Sequence, residues 1–412
     1  MTAKVQFSLI LIAALFFSAC SDNNNNKKEL EVPALYEFNR DGTSTVSFSG
    51  QTTRILMAEE LNSEMKEYGS IDKTLLLKMF RHRATGGSEA NPFSDPALNA
   101  ANDKQIKSKV AASYDFKNVF ASTTQSEQVK DLFEEWIEAQ VDEIDANSDQ
   151  TASAGVAGQV VDGDGARYVN GEGLEFNQLV AKGLIGALMT DQALNNYLST
   201  NVLDEGQNRD NQQNGVTEDE KSYTTMEHKW DEAYGYLYGT AQNPANPNPT
   251  IGEDDSFLNK YIARVENDSD FEGTAETIFE AFKTGRAAIV AGDFETRDEQ
   301  ANIIRAEISK VIAVRAVYYL QSGKRYLHGS NQNTGGGFHA LSEGYGFIYS
   351  LQFTRVPNSD SPYFTPAEVT TILDKLMGDG ENGLWDVTPE TLDQLSDQIA
   401  DAFEFTVQEA AE

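Results

Sequence analysis

Cysteine occurs once in these 412 residues, at Cys20, so no disulfide can close within the chain. Histidine is nearly as scarce, with four copies. Basic residues are outnumbered: 32 Lys and Arg face 65 Asp and Glu, a formal net charge of −33. Such a surface repels nucleic acid and anionic lipid headgroups, and neither is an expected partner. It attracts metal cations and basic molecules without specificity. The chain also lacks a His-Glu-x-x-His zinc pair, a Gly-x-Ser-x-Gly elbow, a phosphate loop and a Rossmann fingerprint.

Long apolar runs are missing except at the start. Lys4 precedes the run Val5 to Phe17, and Ser18-Ala19-Cys20 closes it with small residues. This is the pattern of a secretory signal over residues 1–19, too short for a stable membrane span. Cys20 stands where the lipobox of bacterial lipoproteins places its lipidated cysteine, although Phe17 replaces the usual leucine. The expectation is a cell-envelope protein tied to the outer membrane by lipid, on its periplasmic or outer face. With Cys20 lipidated, thiol catalysis is excluded. Residues 20–35, with Asn23-Asn24-Asn25-Asn26, read as a disordered polar tether.

Beyond residue 50 the spacing of apolar residues is helical. Leu174 to Leu198 predicts a core helix, with Gly183 and Gly186 inside it; each costs roughly 1 kcal/mol against alanine unless another backbone packs close. Helices are also predicted over 102–119, 124–146, 223–239, 271–291, 300–320, 338–353, 366–377 and 389–404. Loops are predicted over 147–172, 201–221 and at Gly335-Gly336-Gly337. Only 36–50 looks strand-like. The expected fold class is all-α: two packed helical bundles, 36–255 and 256–412, related by an internal pseudo-twofold duplication.

The duplication is read from a repeated motif, His-x-x-x-Glu-x-Tyr-Gly-aromatic-aliphatic-Tyr. One copy is His228, Glu232, Tyr234, Gly235, Tyr236, Leu237, Tyr238. The other is His339, Glu343, Tyr345, Gly346, Phe347, Ile348, Tyr349. Residues four apart share one helix face. If the halves pack symmetrically, His228, Glu232, His339 and Glu343 meet at one point. Imidazole with carboxylate suits a divalent metal such as Fe or Zn. Tyr234, Arg286 and Tyr345 are further candidates for a ligand pocket. The same residues also suit a structural role. A histidine and glutamate four apart can bond within one helix, and glycine permits close helix contact. Arg286 and Arg315, set in apolar segments, call for acid partners. Glu175, Gln178 and Glu307 lie on the helices before the two copies. His82 and His328 read as exposed or loop residues.

Asp162-Gly163-Asp164-Gly165 resembles the start of a calcium loop. Ala166 and Arg167 then occupy its fifth and sixth positions, where a ligand and glycine belong. Asp162 and Asp164 are therefore candidates for calcium or for a tight acidic turn.

The segments Met226-Glu227-His228-Lys229-Trp230-Asp231-Glu232-Ala233-Tyr234-Gly235 and Gly337-Phe338-His339-Ala340-Leu341-Ser342-Glu343-Gly344 resemble a lipoprotein family labelled domain of unknown function 4856. Lys182-Gly183-Leu184-Ile185-Gly186-Ala187 and Thr284-Gly285-Arg286-Ala287-Ala288-Ile289 resemble it too, so the likeness spans about residues 36 to 405. More distantly, the chain is similar to imelysin-like envelope proteins. That resemblance implies two helical bundles and a link to iron uptake or metallopeptidase activity. Their signature is Gly-x-His-x-x-Glu. Gly337 and His339 match it, but Ser342 stands at the glutamate position and Glu343 comes one residue late. That shift turns the carboxylate about 100° around the helix. Three roles stay open: a binder of a small ligand or metal ion, a metal-dependent hydrolase, and a structural or partner-binding surface protein.

Overall fold

In the computed structural model, the described residues are 30–411 apart from 83–90, 102 and 379–380. The leader 1–19, Cys20, the tether up to residue 29 and Gly86-Gly87 lie outside the described residues. The described chain is 61% helix and 5% strand, which fixes the class as mainly helical. Among the described residues no helix is long and apolar enough to cross a membrane.

The frame is the Phe294–His328 helix, 35 residues and roughly 50 Å long. Ile304, Ile308, Val311, Ile312, Val317 and Leu320 are all fully buried along it. It packs against Thr274–Ala291 on one side and Thr334–Ser350 on another. Thr334–Ser350, which carries the second motif copy, also packs along Phe176–Leu184. That helix continues through wider turns over Ile185–Thr190 and Ala193–Tyr197, completing the rod expected from Leu174 to Leu198. Thr225–Tyr238, with the first copy, packs on the Ala193–Tyr197 end of that same rod and on Ser49–Glu64 and Thr274–Ala291. The two copies thus meet one rod at different ends and otherwise have different neighbours. One hydrophobic cluster runs from Tyr36 to Ala410 and takes in residues of both expected bundles.

Capping chemistry sets the helix starts. Thr224 and Glu227 form a reciprocal box at the first motif helix. Asn333 starts the second by accepting from the Gly336 amide at 3.1 Å. The Gly335-Gly336-Gly337 run, expected as loop, is therefore the first turn of that helix. Its reason is steric: a methyl group on Gly335 would collide with the Val161 backbone. Val161 belongs to a second departure. Gly158–Asp162 and Gly165–Val169 pair antiparallel, with Asp162 opposite Gly165, inside the expected 147–172 loop. Gly163, at φ 59°, makes the two-residue turn. A smaller ladder, Asn39–Arg40 with Thr43–Ser44, is all that forms in the strand-like 36–50 segment. The helix expected over 102–119 reduces to Phe116–Phe120, and 201–221 holds the short Asn208–Asn214 helix.

Glycines bring the two central rods together. A methyl group on Gly346 would lie 2.5 Å from Lys182 Cβ, and one on Gly186 would lie 2.6 Å from Ser350 Cα. Gly186 thus has the close backbone its cost demands, whereas Gly183 faces rings: an added methyl group would lie 2.9 Å from Phe133 and 3.2 Å from Trp136. In an uncrowded helix Gly→Ala stabilises by about 1 kcal/mol. Here Gly186→Ala is expected to destabilise by roughly 1–3 kcal/mol through overpacking. Urea unfolding checks the sign, and a stabilised variant would refute the close approach.

Candidate ligand-binding site

The two motif copies have different chemical surroundings. In the first, His228 Nδ1 lies 3.1 Å from the Ser47 carbonyl. A carbonyl only accepts, so Nδ1 carries the proton. The ring stacks on Tyr223 at 4.5 Å. Glu232 does not bond His228; it accepts from Gln51 Nε2 and Lys229 Nζ, each at 3.0 Å. Tyr234 stacks on Tyr36 at 3.7 Å and donates to the Pro244 carbonyl. Arg286 is fully buried, with Nε 3.0 Å from Asp231 Oδ1 and Nη2 2.9 Å from Thr45 Oγ1. Its Nη1 lies 3.3 Å from Glu227 Oε1, and Arg40 grips the same carboxylate through two nitrogens. Tyr36 donates to Asp231 as well, at 2.7 Å. Burial pushes the Asp231 carboxyl up to about 6, against the pull of Arg286. Breaking a buried pair of this kind costs about 3–5 kcal/mol. Arg286 and Tyr234, expected at a ligand pocket, are therefore bolts of the interior. Arg286 takes its acids from Asp231 and Glu227 rather than from Glu232.

The second copy borders a polar cavity of about 550 Å³. His339 Nδ1 is 3.0 Å from Glu175 Oε2, so it donates to that carboxylate. Its Nε2 is left facing Glu343 Oε2 at 3.8 Å, too far for a hydrogen bond. Lys182 Nζ pairs with Glu343 Oε1 at 3.1 Å, and Tyr261 donates to the same oxygen at 3.2 Å. Glu175 sits at the N-terminal boundary of Phe176–Leu184 in an extended conformation. Its backbone amide donates to Ser342 Oγ at 2.9 Å. Ser342 occupies the position that holds glutamate in the imelysin-like signature and is wholly buried. The carboxylate beside the imidazole comes instead from Glu175, on a different helix.

The structure brings Glu175, His339, Glu343 and Lys182 together and leaves His228 and Glu232 in their own separate surroundings. Among the described residues no group of three or more His, Cys, Asp and Glu is arranged to hold a metal ion. The donor set explains this. The Lys182 ammonium already pairs with Glu343, and Glu175 accepts a hydrogen bond from His339 Nδ1–H. A four-ligand metal centre of His228, Glu232, His339 and Glu343 therefore does not fit these residues. Tyr345 departs as well: it projects to another groove, lined by Phe116, Leu132, Tyr349 and Leu373. Asp162 accepts from Arg167 Nε at 2.6 Å and Asn333 Nδ2 at 2.7 Å, while Asp164 is exposed in the hairpin turn. The tight acidic turn is the form adopted, and the calcium-loop geometry is absent there.

A family model, described as a domain of unknown function (DUF4856), matches residues 33–406. The chain belongs to this family. No curated protein and no solved structure matches it.

Several cavity residues have only weak sequence signals. Lys182 interrupts the apolar run around Leu179, Val180, Leu184 and Ile185, the same signal that singled out Arg286. Asn62 and Lys66 are four apart, at the end of Ser49–Glu64 and in the turn after it, but Asn177 and Lys260 lie on two other helices and no spacing links them to that pair. Among the remaining expectations, Arg315 finds aromatic faces instead of an acid, 3.9 Å from the Tyr318 ring centroid. His82 follows Lys73–Arg81 as a loop residue, but it is buried against Phe93 rather than exposed.

Burial alone would raise the Glu343 carboxyl, but Lys182 and then His339 outweigh it and hold it below its ordinary value. Its pairing therefore stabilises the fold above about pH 4.3, the unfolded glutamate value, and is lost as pH falls through the folded value. Urea unfolding at pH 6 and pH 3.5 is expected to show a smaller acid loss for Glu343→Gln than for wild type. Equal losses would contradict the pairing.

Proposed function

We propose that this family member is a cell-envelope protein that binds a small polar ligand in the cavity beside Glu175, His339, Glu343 and Lys182. One observation carries the reading. The cavity gathers Lys66, Glu175, Lys182, Lys260, His339 and Glu343 around one polar space of about 550 Å³, and among the described residues Lys66 and Lys260 are in no ion pair. The volume suits the purpose, since small-molecule sites span about 300–1,000 Å³.

The pre-positioning of His339 by Glu175 gives the site a fixed donor and acceptor arrangement. A metal is not needed for this reading, because Lys182 already supplies the positive charge at Glu343. The resemblance to imelysin-like envelope proteins supports the placement in the envelope but not a shared metal. A thermal-shift panel of amino acids, neutral sugars, sugar acids and dicarboxylates tests binding. One class is expected to raise the melting temperature of wild type and not of His339→Ala. A panel with no such class would refute the reading.

The leader supports attachment through a lipid on Cys20. Cys20→Ser is expected to move the protein from the membrane fraction to the soluble fraction after extraction without detergent. Retention of the variant in the membrane would refute lipidation at that residue.

A further inference from the structure

The charge of this cavity departs from that of the chain. Over the whole sequence, 65 Asp and Glu outnumber 32 Lys and Arg. Around the cavity the order reverses: Lys66, Arg167, Lys182 and Lys260 stand against Glu59, Glu175 and Glu343. Three of the ammonium groups come from separate segments. Lys66 lies in the turn after Ser49–Glu64, Lys182 in Phe176–Leu184 and Lys260 in Leu258–Glu266. The Lys182 ammonium repels both of the others, and Lys260 repels Lys66. Tertiary packing thus gathers like charges that no local spacing brings together.

Most of these charges already have partners. Lys182 pairs with Glu343 at 3.1 Å, and Arg167 pairs with Asp162 at 2.6 Å. Glu175 accepts from His339 Nδ1, and Glu59 accepts from the Ser256 hydroxyl and amide. Lys66 and Lys260 differ. Among the described residues neither side chain makes an ion pair or a hydrogen bond. Glu59 attracts both, but from beyond ion-pair distance. Lys66 is exposed and Lys260 is half-buried. Lost solvation, then repulsion from Lys182, lowers both from their ordinary value. An added negative charge stabilises an ammonium in such a place. Grouped charge of one sign in a cleft also focuses the field and concentrates counter-ions.

A bare ion leaves most of a 550 Å³ cavity empty. Tyr68 and Tyr168, stacked at 3.9 Å, also line it and offer apolar ring surface to a carbon skeleton. We infer that the ligand is a small organic anion whose carboxylate or phosphate group meets the ammonium groups of Lys66 and Lys260. This inference rests on the binding role proposed above and names the class of ligand. No bond is made or broken in the cavity.

The test is calorimetric titration of the full mature protein in detergent, at fixed ionic strength. The probes are succinate, benzoate and glycerol phosphate, each beside its neutral counterpart: succinamide, benzamide and glycerol. At least one anion is expected to bind about tenfold or more tightly than its counterpart, the scale of a hydrogen bond to a charged group. Lys260→Met is expected to weaken that anion about tenfold, and Lys260→Arg, which keeps the charge, to retain it. Lys66→Met, at an exposed position where folding is not at stake, is expected to weaken it too. Lys221→Met, at an exposed lysine outside the cavity, is expected to leave it unchanged. Preference for succinate or benzoate identifies a carboxylate, and preference for glycerol phosphate identifies a phosphate ester; either supports the inference. Equal affinity for the anions and their neutral counterparts would overturn it. So would anion binding that Lys66→Met and Lys260→Met leave unchanged. If a neutral sugar binds instead, and His339→Ala abolishes that binding, the inference fails while the binding role stands. If no solute of any class binds, both fall.

Discussion

The close approach of the Phe176–Leu184 and Thr334–Ser350 helices governs the rest of the architecture. Gly346 against Lys182, and Gly186 against Ser350, let two backbones meet without intervening side chains. That approach lets Lys182 pair with Glu343 across the seam. It also sets Glu175, at the head of one helix, within 3.0 Å of His339 in the first turns of the other. Were the helices held apart by a single pair of methyl groups, both contacts would stretch beyond useful range. The packing of small residues and the polar chemistry are therefore one arrangement.

The repeated motif shows how one sequence pattern can serve two ends. In the first copy the environment closes around it. Arg286, Arg40, Tyr36 and Thr45 satisfy Glu227 and Asp231, and the imidazole spends its proton on a carbonyl. In the second, Lys182 answers one carboxylate and the imidazole answers another, beside a cavity of about 550 Å³.

Much of the fold was legible from apolar periodicity. Pro366–Met377 matches its expected span, and the long core rod ending at Tyr197 follows its run of leucines and isoleucines. Glycine was harder to read. Gly335, Gly336 and Gly337 look like loop in isolation, and only the Val161 backbone explains why small residues start a helix there. The hairpin at Gly158–Val169 was hidden by short strands, one edge of which is exposed. At the site, His339, Glu343 and Glu175 were visible as candidates. The convergence on one point of His228 and Glu232 with them was an inference from symmetry, and it depends on neighbours the motif does not encode. Lys182 offered a signal through its apolar context. Asn62, Asn177 and Lys260 offered none, because their meeting is a product of tertiary packing alone.

The central claim is that the cavity beside His339 is a vacancy for a ligand and that the surroundings of His228 are closed. A crystal structure of the mature protein, grown with the strongest-binding solute, tests this most directly. The account predicts the solute in this cavity, against His339 and Lys260, with no solute at His228. A solute bound elsewhere, with this cavity empty, would contradict it.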